Sequence, residues 1–168
     1  MTRFFGGQSM VAPLQTVLVR RPDEAFGAAD PLLWHYAGQP YLPLAQSEHD
    51  AFVNTLLGNG VEVVYHAEPL PDHADAIFVH DPVLMTDRGA IILHMGKPLR
   101  IGEEAAMEAT LRRLGVPIHY RLSGEATAEG GDLLWLDERT LCVGLGFRTN
   151  AAGFAQLGEA LDGSGVEL

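Results

Sequence analysis

Acidic residues recur at fixed places beside the apolar segments of this chain. Asp75 opens one apolar segment, and the pair His80-Asp81 closes it. Further along, Glu129 and Asp132 frame two glycines at the start of another apolar segment, where glycines let the backbone approach a ligand closely. Because the carboxylates take corresponding positions beside successive apolar segments, we expect them to line one shared pocket. Carboxylates can bind a planar guanidinium in bidentate geometry.

Two arginines occupy matching positions. Arg100 precedes one amphipathic helical segment and Arg148 precedes the next, and an amino-acid carboxylate is a natural partner for arginine. The acids and arginines together predict a pocket for a ligand that carries both a guanidinium and a carboxylate. Taken singly, each residue has a structural alternative, since Asp75 and Asp81 also suit turns and arginines mostly lie on the surface.

The elements that must position these residues form a repeat. An amphipathic helix that ends at a glycine leads into a short apolar strand three times, with the strands starting at Val61, Val116 and Val166. The spacing of roughly 50 residues is typical of modular arrays. The last of these strands begins two residues before the end of the sequence, so we expect the chain to stop inside its third module.

Hairpin signals precede the second and third helices. Each turn-forming run, 87–89 and 137–140, separates two strand-like segments; these are 76–79 with 90–93, and 133–136 with 141–145. A further strand is predicted over 14–20. We predict an α/β (α+β) fold of ββαβ modules in a single incomplete domain over 1–168; the modules are 10–66, 75–121 and 129–168, and the insertion 22–45 is a long loop or lid.

Composition limits the class of function. A formal net charge of −11 argues against nucleic acid and anionic membranes as partners, and it is compatible with a small cationic substrate or simply with solubility. No apolar run suits a membrane span, and residues 1–7 do not begin a signal peptide. The single cysteine, Cys142, fits a reducing cytoplasm. The histidines have no paired ligand spacing, so we predict no metal and no cofactor.

Four segments resemble motifs of the guanidino-group modifying enzymes, the pentein superfamily. The family includes dimethylarginine dimethylaminohydrolases, amidinotransferases and arginine deiminases. The similar segments follow one another in the family's order; they are 75–82 (Asp-Ala-Ile-Phe-Val-His-Asp-Pro), 99–104 (Leu-Arg-Ile-Gly-Glu-Glu), 127–132 (Thr-Ala-Glu-Gly-Gly-Asp) and 143–150, which ends in Arg-Thr-Asn. A weaker similarity covers 10–21.

The resemblance implies a β/α-propeller of five modules, about three of them in this chain. It also implies C–N bond cleavage in arginine or methylated arginine, in which a cysteine thiolate attacks the guanidine carbon and a histidine acts as acid and base. Glu129 is the implied catalytic residue and holds the guanidinium together with Asp81. The implied substrate-binding residues are Asp75, His80, Asp81, Arg100, Asp132 and Arg148, with the two arginines on the carboxylate.

The chain departs from the family pattern in its nucleophile and base. The family's histidine and cysteine follow the Arg-Thr-Asn segment, and this sequence ends before both, so we expect it to be an N-terminal portion that is inactive alone. Cys142 lies in an apolar strand and is predicted to be an inert core residue. His80 stands where related enzymes often carry an acid or an arginine, which leaves the exact substrate open.

Several alternatives stay open. The spacing from Asp75 to Asp81 favours a dimethylarginine dimethylaminohydrolase, with arginine deiminase and amidinotransferase as alternatives in the same superfamily. A non-catalytic module that binds arginine-like ligands or a protein is an alternative of another class, and a split enzyme completed by a second chain is a third. An incomplete ring exposes strand edges and apolar faces, so we expect self-association or pairing with the missing C-terminal modules.

Overall fold

A computed structural model describes residues 5–168, and the chain divides into two units. The N-terminal unit is Pro13–Val79, and the C-terminal unit is Met1–Ala12 together with His80–Leu168. Residues 1–4 of the run considered for a signal peptide lie outside the described residues. Within residues 5–168, no helix combines the length and the apolar character needed to cross a bilayer.

The N-terminal unit contains two parallel strands and three helices. Strand β1 (Thr16–Val19) pairs in parallel with strand β2 (Glu62–Tyr65), as expected for strands joined through a helical connection. The helices between them are α1 (Glu24–Gly27), α2 (Pro31–Trp34) and α3 (Leu42–Gly58). The strand predicted over 14–20 is thus confirmed in its central residues.

The insertion 22–45 differs from the predicted long loop because local capping turns it helical. The carboxylate of Asp23 accepts a hydrogen bond from the backbone N–H of Ala25, and that of Asp30 accepts one from Leu32. Both are N-cap interactions, and Pro31 occupies the first turn of α2, where its missing N–H costs nothing. Helices α1 and α2 and the start of α3 therefore lie in this segment.

The strand predicted over 76–79 is wrong. Residues Ala74–Ile77 form a short 3-10 helix, in which the carbonyl of Asp75 accepts a hydrogen bond of 2.9 Å from the N–H of Phe78. A short apolar run fits a strand and a buried turn equally well by its pattern. The first strand of the hairpin instead begins after Pro82, as β3 (Val83–Thr86).

The C-terminal unit is built from two hairpins, each followed by a helix. In the first, β3 is antiparallel to β4 (Gly89–Ile92), and helix α4 (Glu103–Arg113) leads to β5 (Ile118–Arg121), which pairs in parallel with β4. In the second, β6 (Leu133–Asp137) is antiparallel to β7 (Thr140–Val143), and helix α5 (Ala151–Leu161) follows. Glu167 then forms a parallel bridge with Thr140.

Backbone conformation shows the repeat most directly. A glycine with a positive φ angle precedes each of the segments that follow α3, α4 and α5. The φ angles are 77° for Gly60, 75° for Gly115 and 76° for Gly165. This region is accessible to glycine but costs free energy for residues with a Cβ atom. The predicted succession of helix, glycine stop and strand is therefore confirmed for the first two repeats, and in the third the strand is reduced to the single bridge at Glu167.

The core of the C-terminal unit lies between its strands and α5. It combines buried residues of β4, β6, β7 and α5; examples are Ile91, Trp135, Leu141 and Leu157. Side chains alternate along β7, so Leu141 is fully buried while the neighbouring Cys142 is exposed and pairs with Leu134 across the hairpin. The expectation that Cys142 is a buried core residue is wrong for this reason.

Candidate functional site

An ion-pair network in the C-terminal unit centres on Arg100, just before α4. Its side chain is only 2% exposed. Nη1 donates to Asp81 Oδ2 at 2.5 Å, whereas Nε and Nη2 donate to the carboxylate of Glu103 at distances between 2.6 and 3.2 Å. Burial alone would lower the pKa of Arg100, but the hydrogen bonds and charges of Glu103 and Asp81 outweigh it and raise this pKa. Arg100 is therefore a permanently charged, buried cation.

Glu129 is the most deeply buried carboxylate of the network, with no exposed surface. Its Oε1 atom accepts hydrogen bonds from the backbone N–H groups of Gly96 and Lys97, at 3.0 and 3.1 Å. Its Oε2 atom lies 3.4 Å from Nη1 of Arg148 and 4.0 Å from Nη1 of Arg100. The backbone fixes one oxygen of Glu129, and the other faces two guanidinium groups.

Arg148 is the accessible cation of the network. Its side chain is 37% exposed, and its Nη2 atom lies 3.3 Å from Oδ1 of Asp132. Asp132 is held in turn by Thr149, whose hydroxyl donates to Oδ2 at 2.7 Å. These distances to Arg148 are long for charge-assisted hydrogen bonds, so Arg148 is held more loosely than Arg100.

The two glycines of the Glu-Gly-Gly-Asp segment allow it to lie against the turn at His80 and Asp81. A Cβ atom on Gly130 would lie 2.2 Å from the carbonyl oxygen of His80. The N–H of Gly130 donates to the carbonyl of Asp81, and the N–H of Gly131 donates to Oδ1 of the same residue, both at 2.9 Å. Backbone contact therefore brings the carboxylates of Asp81 and Glu129 into one network.

The Arg-Thr-Asn segment is fixed by its asparagine. Asn150 is the N-cap of α5, and its Oδ1 atom accepts hydrogen bonds from the N–H groups of Gly153 and Thr127. Its Nδ2 atom donates to the carbonyl of Glu125. The start of α5 is thereby tied to residues 125–127, just before Glu129, which explains why an arginine two residues before this cap reaches the network.

The structure brings five of the seven predicted residues into one network. Asp81, Arg100, Glu129, Asp132 and Arg148 form the network. The ring of His80 is exposed on the turn. Asp75 belongs to the N-terminal unit, where it is 3% exposed and its Oδ1 atom accepts a hydrogen bond of 2.6 Å from the hydroxyl of Tyr36.

Sequence reasoning missed Glu103 and Thr149. Glu103 lies three residues after Arg100 at the start of α4, and this spacing places two side chains on the same side of a helical turn, so the signal was available. Thr149 lies in the Arg-Thr-Asn segment, in which Arg148 was the residue predicted to bind a ligand. With these two residues, the network contains four carboxylates, of Asp81, Glu103, Glu129 and Asp132, against the guanidinium groups of Arg100 and Arg148. The excess of negative charge favours a cationic ligand.

A separate cavity of about 440 Å³ lies in the N-terminal unit. Its lining is mainly apolar, with residues such as Leu18, Phe52 and Ile77, and it also includes Arg20 and His49. It offers no carboxylate for a guanidinium, so we do not regard it as the candidate site.

The chain matches the arginine deiminase family model over residues 65–166. This match covers more than half of the sequence and includes all seven residues of the network. The chain belongs to the arginine deiminase family, within the guanidino-group modifying (pentein) enzymes.

Individual relatives agree with this assignment. The chain is 34% identical over 157 residues to an N(G),N(G)-dimethylarginine dimethylaminohydrolase of Streptomyces coelicolor, a match that covers 93% of the chain and 59% of the relative. It is 31% identical to the enzyme of the same name from Pseudomonas aeruginosa, over 89% of the chain and 58% of the relative. The chain therefore spans about three fifths of the length of these relatives.

Solved structures give the same answer for the fold. A crystal structure of the Pseudomonas aeruginosa dimethylarginine dimethylaminohydrolase, complexed with citrulline, matches with a TM-score of 0.76 at 28% identity. The match covers 92% of this chain and 59% of that structure. The predicted family and the predicted mixed α/β pentein fold are both confirmed.

Proposed function

We propose that this chain supplies the guanidinium-binding part of a hydrolase that cleaves a C–N bond in arginine or methylated arginine. The observation that carries the proposal is the position of Arg148. Its guanidinium lies between the carboxylates of Glu129 and Asp132, at 3.4 and 3.3 Å, so these acids already accommodate a group of the proposed shape and charge. The family and the names of the relatives support the same substrate class.

Each residue of the network has a role in this proposal. Asp81 and Glu129 bind the substrate guanidinium, for which Glu129 is preorganised by two backbone N–H groups. Arg148 is loosely held and partly exposed, which suits a residue that binds the substrate carboxylate. Asp132 orients Arg148, and the accessible His80 turn adds contacts to the substrate; a contact of Asp75 with the substrate stays a prediction from the resemblance. Arg100 is assigned to the substrate carboxylate together with Arg148.

The chemical step needs groups beyond this network. A cysteine thiolate attacks the guanidine carbon, the C–N bond to the departing amine breaks as a histidine protonates that amine, and water hydrolyses the resulting thiouronium to citrulline. Cys142 is the one cysteine of the sequence, and it lies on the outward face of β7 rather than in the network. We propose that the nucleophile and base are supplied by further polypeptide, in a reducing cytoplasm.

Binding of guanidino ligands to the chain tests this proposal. We expect L-arginine and N(G),N(G)-dimethylarginine to bind in isothermal titration calorimetry, and L-norleucine, which lacks a cationic guanidinium, not to bind. Binding of norleucine with equal affinity, or of none of the three, would contradict the proposal. Citrulline release, measured on the full-length protein, distinguishes the hydrolase from the alternative of a non-catalytic module that only binds arginine-like ligands; the chain alone should release none.

The outward face of the second hairpin supports the expected self-association or pairing with further modules. Leu134 and Leu136 on β6 are 49% and 60% exposed, and Leu145 and Phe147 after β7 are 61% and 84% exposed. Large apolar side chains exposed in this number on one hairpin are often covered in the native assembly. We expect light scattering to show a mass that rises with concentration, and a constant monomer mass at high concentration would contradict this expectation.

A further inference from the structure

We propose that Thr149 is a positioning residue, whose hydroxyl holds the carboxylate of Asp132 so that Asp132 aligns Arg148 with the carboxylate of an amino-acid ligand. The inference rests on the proposed function, because Arg148 is assigned to that carboxylate there. Thr149 is buried, so it acts through Asp132 and Arg148. Its effect is selectivity, since a guanidine that lacks a carboxylate gains nothing from an aligned Arg148.

The hydroxyl of Thr149 has two fixed partners. Its oxygen, Oγ1, accepts a hydrogen bond of 3.3 Å from the backbone N–H of Glu129 and donates one of 2.7 Å to Oδ2 of Asp132. A hydroxyl carries one proton. Because the N–H of Glu129 supplies the proton of the first contact, the hydroxyl proton is free for Asp132. The bond to Asp132 therefore has one direction.

Backbone contacts set the place of Thr149. The preceding backbone lies so close to Gly96 that a Cβ atom on this glycine would be 2.6 Å from the carbonyl oxygen of Arg148. The N–H of Gly96 also holds Oε1 of Glu129. On the other side, the carbonyl of Thr149 accepts a hydrogen bond of 2.9 Å from the N–H of Gly146. The fold, rather than a ligand, thus fixes the backbone of Thr149 relative to Glu129.

The two oxygens of Asp132 are held unequally. The distance of 2.7 Å between the hydroxyl of Thr149 and Oδ2 is typical of a hydrogen bond to a carboxylate. Oδ1 lies 3.3 Å from Nη2 of Arg148, so Asp132 is held more firmly by Thr149 than by Arg148. A guanidinium has five N–H donors. Arg148 can therefore bind a ligand carboxylate while it keeps one N–H on Asp132.

Alignment matters because Arg148 is a long and partly exposed side chain. Such a side chain loses rotamer entropy when a ligand orders it, and one that is ordered beforehand loses less. Asp132 provides this order only while its own carboxylate is fixed, which is the part of Thr149. The affinity for ligands with a carboxylate rises as a result, and the affinity for other guanidines does not.

The variant Thr149→Val tests the inference, because it removes the hydroxyl and keeps the shape of the side chain. Agmatine carries a guanidinium but no carboxylate, whereas arginine carries both. In isothermal titration calorimetry we expect the affinity for arginine to fall about tenfold, the lower end of the effect of losing a hydrogen bond to a charged group, since Thr149 acts indirectly. The affinity for agmatine should not change. A loss of the same size for both ligands, or no loss for arginine, would overturn the inference.

Two further variants are the controls. Thr140→Val removes another hydroxyl that bonds to an aspartate, since Oγ1 of Thr140 donates to Oδ2 of Asp137 at 3.2 Å in the turn of the second hairpin. It should leave both affinities unchanged. Thr149→Ser keeps the hydroxyl and should retain the preference for arginine over agmatine. If Thr149→Ser loses as much of this preference as Thr149→Val, the hydroxyl is not the group that acts.

The mobility of Arg148 gives a measurement that needs neither a ligand nor a folded variant. In ¹⁵N relaxation spectra of the ligand-free wild type, Nε of Arg148 should be more ordered than Nε of Arg139, whose side chain is exposed, and Thr149→Val should abolish the difference. Equal mobility of the two arginines in the wild type contradicts the inference even if Thr149→Val does not fold. If the wild-type chain binds no guanidino ligand, the proposed function fails instead, and the Arg148 signal still shows whether Thr149 aligns this side chain.

Discussion

Replacement of Glu129 by glutamine is expected to weaken the binding of arginine by about 30- to 100-fold, the effect of losing a hydrogen bond to a charged group. The substitution removes the negative charge while it keeps the size of the side chain. The amide oxygen can still accept from the backbone N–H groups of Gly96 and Lys97, which hold Oε1 at 3.0 and 3.1 Å. The amide nitrogen then takes the place of Oε2 and presents donors toward guanidinium groups, which are themselves donors.

A control and a second measurement isolate this effect. Glu125 lies four residues earlier and its side chain is exposed, so Glu125→Gln changes net charge by the same amount outside the network. Calorimetric titration of arginine into both variants gives the comparison, and circular dichroism melts report whether Glu129→Gln remains folded. Equal affinity in Glu129→Gln and the wild type, or an equal loss in Glu125→Gln, would show that Glu129 does not bind the ligand.

Local sequence signals were sufficient for much of the fold. The helix stops at Gly60 and Gly115 and the two hairpin turns are properties of a few neighbouring residues, and each was placed correctly. The segment 76–79 was wrongly predicted to be a strand, because its apolar pattern is shared by strands and buried turns. Cys142 was misplaced by one step of alternation, since an apolar run alone does not say which of its two faces is covered.

Sequence reasoning likewise predicted one part of the candidate site and not the other. The acids and arginines of the motifs were found by type and order, and the structure brings Asp81, Arg100 and Glu129 together. The contacts that hold them are mostly beyond reach of sequence reasoning, because they involve backbone groups that every residue carries. The hydrogen bonds that the N–H groups of Gly96 and Gly131 donate to Glu129 and Asp81 are such contacts. Their function depends on tertiary position rather than on residue type.

Substitution of Gly130 by alanine is expected to destabilise the C-terminal unit by about 3 kcal/mol, a typical cost of overpacking a tight contact. A Cβ atom at this position would lie 2.2 Å from the carbonyl oxygen of His80 and 2.9 Å from its carbonyl carbon. These are backbone atoms, so no side-chain rotation relieves the overlap. The segment 129–132 or the turn at His80 must move, and the hydrogen bond of 2.9 Å between Gly130 and the carbonyl of Asp81 is strained or lost.

The displacement caused by Gly130→Ala also carries a functional consequence, because Gly130 lies between Glu129 and Gly131. Glu129 belongs to the network and the N–H of Gly131 holds Asp81, so a shift of a few tenths of an ångström changes the relative position of these two carboxylates. We expect the melting temperature to fall by roughly 6–12 °C, and arginine binding to weaken even at temperatures where the protein is folded. Gly146→Ala is the matched control, since a Cβ atom there meets no heavy atom within 4 Å among the residues that the structure describes. If Gly130→Ala melts together with Gly146→Ala and the wild type, the close approach of the two segments is not what holds the acids of this site together.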